Sequence, residues 1–253
     1  MIKILNILPV VPSEGFKESI AYRGKLGEQI SAEFHRMVTI DTIPLESGLP
    51  SIESSFDEAI NIPEILKKAK WAEENNYNAV TIDCFADPGL DALKELLNIP
   101  VVGPFQASVH LAVQLGQKFS IINTVPSLEH VFISLSKKYG VSDNLASIRT
   151  LNIPVLDLTT FKENTLLKIV REIKEAVFKD DADVVILGCT GISVLEDKLR
   201  SALNSELLNN IPILDPLKVA LYTAINICML GLVHSKKRYN LPSRSLELIY
   251  KKL

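Results

Sequence analysis

Apolar positions along the chain switch between two periods. Short apolar or alternating runs at Ile2–Ile7, Val38–Ile43, Ala79–Asp83, Val101–Val102, Phe119–Ile122, Val155–Leu158 and Val184–Leu187 predict strands. Between them, Ser19–Arg36 repeats Leu26, Ile30 and Phe34 at helical spacing. A stretch from Asp57 to about Glu74 buries Ile60, Ile65, Leu66 and Ala69, and Gln106–Leu115 and Ser127–Tyr139 predict two more helices. Asp87-Pro88 has the form of an N-cap followed by proline at the first helical position. Thr160-Phe161-Lys162-Glu163 and Ser193-Val194-Leu195-Glu196 have the form of capping boxes. Strands alternating with helices predict right-handed βαβ units and parallel sheets, an α/β fold. The uncharged run Val219–Val233 is shorter than the roughly 20 residues a membrane span needs, and predicts a buried helix.

The pattern also echoes itself. Helix, strand, Cys84 and helix lead to Asn98-Ile99-Pro100-Val101-Val102-Gly103-Pro104. Helix, strand, Cys189 and helix lead to Asn210-Ile211-Pro212-Ile213-Leu214-Asp215-Pro216. The two cysteines are 105 positions apart, about one small domain. The echo predicts two similar α/β halves, each with a cysteine at the carboxyl end of a strand, where open parallel sheets bind ligands.

Composition narrows the function classes. The chain has 253 residues, 47% hydrophobic and 23% charged, which excludes a disordered or low-complexity protein. With 27 basic and 30 acidic side chains the net charge is −3, without the basic excess of a nucleic-acid binder. Three cysteines without a CxxC pair argue against a disulfide framework, and the N-terminus lacks the form of a signal peptide, so the expected compartment is the cytoplasm. No GxGxxG or GxxxxGK[ST] occurs. The histidines His35, His110, His130 and His234 are scattered, so neither a nucleotide cofactor nor a metal is expected.

A thiol placed between a buried strand and a helix start meets free N–H groups and partial positive charge. These lower its pKa and hold an anion or carbonyl oxygen. If the halves face each other, Cys84 and Cys189 flank one cleft, and one can remove a proton from a carbon while the other supplies a proton to the opposite face. A lone strand-end cysteine is more often plain core, and Cys228, in the apolar stretch Ala224–Leu232, is read so; the duplicated context favours chemistry for the other two.

Cys84-Phe85-Ala86-Asp87-Pro88-Gly89-Leu90 resembles the CFGDPGL signature of hydantoin and allantoin racemases. Leu187-Gly188-Cys189-Thr190-Gly191 resembles their LGC(A/G)G signature, and Ser51-Ile52-Glu53-Ser54-Ser55-Phe56-Asp57-Glu58-Ala59 is similar to their SIEGHFDEA segment. The likeness runs to about His234, within the wider Asp/Glu/hydantoin racemase superfamily. It implies two pseudo-symmetric parallel-sheet α/β domains with the active site between them. One would comprise residues 1–104 plus 216–253, the C-terminal helix returning to it, and the other residues 105–215. It implies Cys84 and Cys189 as acid and base, with the main-chain N–H groups of Phe85, Ala86, Thr190 and Gly191 on the substrate carbonyl or carboxylate. Asn6 aligns with the first asparagine of an NPNTS motif, and Asn123 and Thr124 match a polar pair lining the pocket. The departures are Asn6-Ile7-Leu8-Pro9-Val10 in place of NPNTS, Ala86 for a glycine and Asn123 for a threonine, which point to a different or bulkier substrate.

The expected activity is cofactor-independent racemisation of a 5-substituted hydantoin or a related amino-acid derivative. The alternatives are an Asp/Glu-type racemase, a decarboxylase or isomerase of the same superfamily, and a small-molecule binder without turnover. The partner is a small molecule, with no nucleic acid or membrane, and homo-oligomerisation is left open. Glu53 and Asp57 are balanced between contacting substrate and fixing their loop. His110 is expected at the core or rim, Lys118 and Lys218 are expected solvated, Lys236-Lys237-Arg238 is expected as a surface face, and the residues from Pro242 as a docking tail.

Overall fold

A computed structural model describes residues 1–13, 16–158, 162–205, 208 and 210–240. The first sheet holds β1 (Ile2–Leu8), β2 (Val38–Pro44), β3 (Ala79–Ile82) and β4 (Val101–Val102) in the order β2-β1-β3-β4, all parallel. Its helices are α1 (Phe16–Glu33), α2 (Ser55–Glu74), α3 (Leu90–Leu96) and α4 (Pro104–Leu115). The second sheet holds β5 (Phe119–Asn123), β6 (Leu145–Thr150), β7 (Val184–Leu187) and β8 (Ile213–Leu214) in the order β6-β5-β7-β8, again parallel. Its helices are α5 (Glu129–Lys138), α6 (Lys162–Phe178), α7 (Glu196–Ser205) and α8 (Pro216–Met229). The same strand order occurs twice, so β3 and β7 are equivalent. Both are buried along their whole length, as uncharged runs of Val, Ile, Leu and Ala, with one Thr in β3, should be when sandwiched between helices.

The last helix of each half crosses over. Phe105, Val109 and Ala112 of α4 pack with Phe119, Ile121, Val184, Ile186 and Leu214 of the second sheet. Leu217, Ala220, Leu221, Ala224 and Ile225 of α8 pack with Ile4, Val38, Ala79 and Val102 of the first. On this packing we propose the division into 1–104 plus 216–253 and 105–215; residues 241–253, with the expected docking tail, lie outside the described residues. Among the described residues no helix is long and apolar enough to cross a membrane. Helix α8 ends at Met229, and Met229, Leu230, Leu232 and Val233 are exposed. Cys228 packs beside the α8 core and meets the carbonyl of Asn78.

Four local expectations are corrected. Val155–Leu158 is not a strand but a 3-10 turn over Val155–Asp157, and the strand beside β5 is Leu145–Thr150. That edge strand is half-buried throughout, so it lacks the apolar contrast that marks the central strands. Asp87 does not cap the helix that follows it. It sits at φ 52°, Gly89 takes the N-cap position of α3, and the Asp87 carboxylate caps α4 instead. Ser193 does not cap α7; it lies in a 3-10 segment, Thr190–Leu195, and its hydroxyl donates to Asp215 Oδ1 at 2.7 Å. Lys118 is exposed, in a surface pair with Asp181, as expected, but Lys218 is half-buried against Glu196 and Lys236 Nζ donates to the carbonyls of Lys94 and Glu95 at the end of α3, so these two are not simply solvated. The box at Thr160 falls on residues 159–161, outside the described residues; α6 begins at Lys162.

Candidate active site

Both thiols stand at carboxyl ends of equivalent strands. One residue, Asp83, separates β3 from Cys84, and one, Gly188, separates β7 from Cys189. Gly188 is required by close approach, since a Cβ there would lie 2.7 Å from the carbonyl oxygen of Ile122. The turn after each thiol repeats as well. The amide of Ala86 meets the Cys84 sulfur, and the amide of Gly191 donates to Cys189 Sγ at 3.3 Å. Among the described residues, the amides of Phe85 and Thr190, one place nearer each thiol, have no protein acceptor.

Cys84 and Cys189 open into one cleft of about 780 Å3, its mouth included. Its walls are mostly apolar, with Leu8 at the end of β1 and Pro9 and Val10 after it, Ile52 from the loop before α2, and Leu128, Leu156 and Leu158 from the second half. Burial raises both thiol pKa values. Cys189 is pushed up to about 11, opposed by the amide of Gly191 and the guanidinium of Arg23; Cys84 is pushed up further, opposed by the amide of Ala86.

Of the residues expected at the site, Cys84, Phe85, Ala86, Thr124, Cys189, Thr190 and Gly191 line this cleft. Thr124 Oγ1 is buried there without a hydrogen-bond partner. Phe85 contributes at the wall, but its ring packs into the core against Phe105 and Phe132, with centroids 4.9 and 5.2 Å away. Asn6 and Asn123 do not reach the cleft. Asn6 Nδ2 donates to Asp83 Oδ2 at 2.7 Å, and its Oδ1 accepts from Thr81 at 2.8 Å. Asn123 donates to the carbonyl of Val125 at 2.6 Å and to Thr150 Oγ1 at 3.1 Å. Both asparagines stand one step behind the wall and brace it.

Glu53 has a structural partner. Its Oε1 accepts from the amide of Val155 at 2.9 Å, and Asp57 Oδ2 accepts from the Glu53 amide at 2.9 Å, tying the loop before α2 to the other half. His110 is exposed on α4, held to the carbonyl of Gln106, and is not among the residues that line the cleft.

The reading of the sequence missed Arg23 and Asp83. Arg23 lies in the wall of the cleft, buried, in a two-pronged ion pair with Asp83 at 2.6 and 2.9 Å. Burial alone would lower the Arg23 pKa, but Asp83 outweighs it and the guanidinium is held above its usual value. A signal existed: Ser19, Arg23, Leu26 and Ile30 form one helical stripe, and a charged residue on a buried stripe demands a buried counter-charge.

A sequence profile of the Asp/Glu/hydantoin racemase family matches residues 19–224. The hydantoin racemase of Pseudomonas sp. (strain NS671) is 34% identical over 198 residues, covering 78% of this chain and 77% of that protein. The hydantoin racemase of Paenarthrobacter aurescens is 34% identical over 198 residues, covering 78% and 81%. The solved structure of allantoin racemase from Klebsiella pneumoniae superposes with a TM-score of 0.85 at 28% identity, over 96% of this chain and 94% of that one. The matched span includes both strand-end cysteines and the buried helix stripe, and the chain belongs to the Asp/Glu/hydantoin racemase family of isomerases.

Proposed function

We propose that this protein racemises a 5-substituted hydantoin, or a closely related cyclic amino-acid derivative, by two-thiol proton transfer without a cofactor. The observation that carries the reading is that Cys84 and Cys189, on equivalent strand ends, line the same apolar cleft. The base is assigned to Cys189, which has the Gly191 amide on its sulfur and the Arg23 guanidinium beside it. Its thiolate takes the proton from the ring carbon beside the carbonyl, so the C–H electrons pass into an enolate and the charge settles on the carbonyl oxygen. The Cys84 S–H then protonates that carbon from the opposite face. Inversion is complete, one thiol has gained the proton the other has given, and the reverse reaction begins from the exchanged state.

The unpaired amides of Phe85 and Thr190 and the hydroxyl of Thr124 are the groups available to hold the oxygen that gains charge. A hydantoin suits this arrangement because its α-proton lies beside a ring carbonyl and is more acidic than that of a free amino acid. The apolar walls at Leu8, Val10 and Leu158 suit a neutral ring with an apolar substituent better than a second carboxylate. Cytoplasmic location remains part of this proposal, drawn from cysteine usage.

The test is proton NMR in D2O with chiral 5-substituted hydantoins, allantoin, aspartate and glutamate, recorded alongside optical rotation. Loss of the α-proton signal together with rotation is expected on hydantoins. A folded, reduced sample that exchanges none of these compounds refutes the reading and leaves a binder or a different lyase chemistry. Exchange confined to aspartate or glutamate moves the substrate to free amino acids.

A further inference from the structure

Arg23 spends every donor it has on the protein. Its Nε donates to Asp83 Oδ2 at 2.6 Å, and its Nη2 donates to Asp83 Oδ1 at 2.9 Å and to the carbonyl of Thr190 at 3.4 Å. Its Nη1 donates to the carbonyl of Ser19 at 3.1 Å and to the Ser19 hydroxyl. A guanidinium has five N–H groups, so none is left for a substrate although the side chain lies in the cleft wall. Its acceptors are the more telling fact. Asp83 directly precedes Cys84, and Thr190 directly follows Cys189. The ring is closed by Thr190 Oγ1, which donates to the carbonyl of Asp83 at 3.1 Å. Behind it, Asn6 holds Asp83 Oδ2 at 2.7 Å and reaches Thr42 at 3.2 Å, anchoring the group in β1, β2 and β3.

We propose that Arg23 and Asp83 of the first half clasp Thr190 of the second and so fix the spacing and orientation of Cys84 and Cys189, making Arg23 a positioning residue for the proton transfers. This rests on the two-thiol reading. A planar fork held at two edges transmits geometry, whereas a lysine supplies a point charge on a flexible stem. Proton transfer between fixed thiols and one carbon tolerates little slack, and a misplacement of about 1 Å costs on the order of 100-fold in rate. The charges around the pair are Arg23 and Asp83 beside Cys189, Glu58 and Asp87 facing Cys84, and Asp215 acting on Arg23.

The spacing can be read without substrate. In a Cys228→Ser background, whose thiol lies apart on α8, bis-methanethiosulfonate reagents of graded length bridge Cys84 to Cys189. One length is expected to close about tenfold faster than its neighbours, as fixed geometry requires. In Arg23→Lys and in Arg23→Gln that preference is expected to fall below about threefold, with kcat down on the order of 100-fold and KM nearly unchanged. Lysine keeps the charge, so failure of Arg23→Lys to rescue separates geometry from electrostatics. Thr190→Val removes only the hydroxyl that closes the ring, and serves where the arginine variants do not fold; it is expected to broaden the preference as well. The clasp is overturned if the wild type shows no preferred length, if the folded variants keep it, or if Arg23→Lys keeps the wild-type kcat. Sharp bridging in a wild type that racemises nothing would refute the proposed activity and leave the clasp standing.

Discussion

Gly103 offers a test of how the two halves are built. In the second half, Asp215 caps α8 from its own N-cap position, accepting from the amide of Leu217 at 2.9 Å. The equivalent position before α4 is Gly103, and the cap comes from Asp87, whose carboxylate accepts from the amides of Phe105 and Gln106 at 2.8 and 2.9 Å. Gly103 has φ −97° and ψ 135°, open to any residue, so its backbone does not require glycine. Space does: a Cβ would lie 2.4 Å from Asp87 Cγ and 2.5 and 2.6 Å from its two oxygens. Gly103→Ala must therefore push the carboxylate away by about 1 Å and break both bonds. Loss of an N-cap costs about 0.5–2 kcal/mol, and forcing extra atoms into the packed site costs about 1–3. Less the ~0.4–1 kcal/mol gained by replacing glycine, the net loss is about 2–3 kcal/mol. Asp87→Ala alone should cost about 1–2 kcal/mol, because it removes the same cap without a clash. The double variant should cost no more than Asp87→Ala, since the second change then strikes empty space. Urea unfolding, followed by far-UV circular dichroism and by fluorescence of the single tryptophan, Trp71, measures all three. Costs that add to within about 0.5 kcal/mol would refute the steric argument.

Cys84→Ser and Cys189→Ser are each expected to lower racemisation by more than about a thousandfold with the fold intact by circular dichroism, because a serine hydroxyl is too weak an acid to replace either thiol; full activity in both would reject the thiol mechanism. For the pH dependence, the base must be a thiolate, so kcat/KM should rise about tenfold per pH unit toward the Cys189 value of about 11, and a profile flat from pH 7 to 10 would contradict that assignment. Burial raises the Asp87 carboxyl to about 7, against the pull of the Gln106 and Phe105 amides. A raised folded-state value adds stability that is complete below about pH 4 and lost as pH climbs through 7, so the Asp87 share of the urea midpoint should fall over that window and the fall should vanish in Asp87→Ala. Thr124→Val should raise KM several-fold while leaving stability equal or better, since the hydroxyl is buried without a partner until substrate arrives.

What the sequence disclosed and what it hid divide along a physical line. Cys84 and Cys189 were legible because strand, cysteine and helix follow one another locally and do so twice. Parallel α/β order was legible for the same reason, since Ala79–Ile82 and Val184–Leu187 are buried along their whole length and carry no charged residue. Asp87 was misread because its cap bonds run to Phe105 and Gln106 across a stretch of chain that no local rule spans. Val155–Leu158 is as apolar as a strand, yet Val155 and Leu158 use that character to pack the second core and line the cleft. Asn6 was found by position but given a contact it does not make, because its partner Asp83 lies 77 residues away. Arg23 was hidden in the same way: its meaning depends on Asp83 and Thr190, which the fold alone brings to it.

The asymmetry of the two thiols has a thermodynamic consequence if the protein interconverts enantiomers. Burial raises both thiols, but Cys189 has the Gly191 amide and Arg23 beside it whereas Cys84 is faced by Glu58 and Asp87, so the thiols differ in proton affinity and the thiolate of the active form belongs to Cys189. One enantiomer then meets a base at once, and the other meets a protonated thiol and must wait for the proton to move. That difference cannot appear in kcat/KM. Enantiomers in an achiral solvent have equal free energies, so the ratio of kcat/KM in the two directions must equal an equilibrium constant of one, whatever the protein does. The asymmetry must therefore divide between kcat and KM, with the enantiomer facing the protonated thiol showing the larger change in both, in the same direction. Replacing Arg23 removes a charge from one side and should bring the two kcat values toward each other while the two kcat/KM values fall together. Unequal kcat/KM values from full progress curves would mean that the compound tested is not simply being racemised, and would send the search back to the substrate rather than to the thiols.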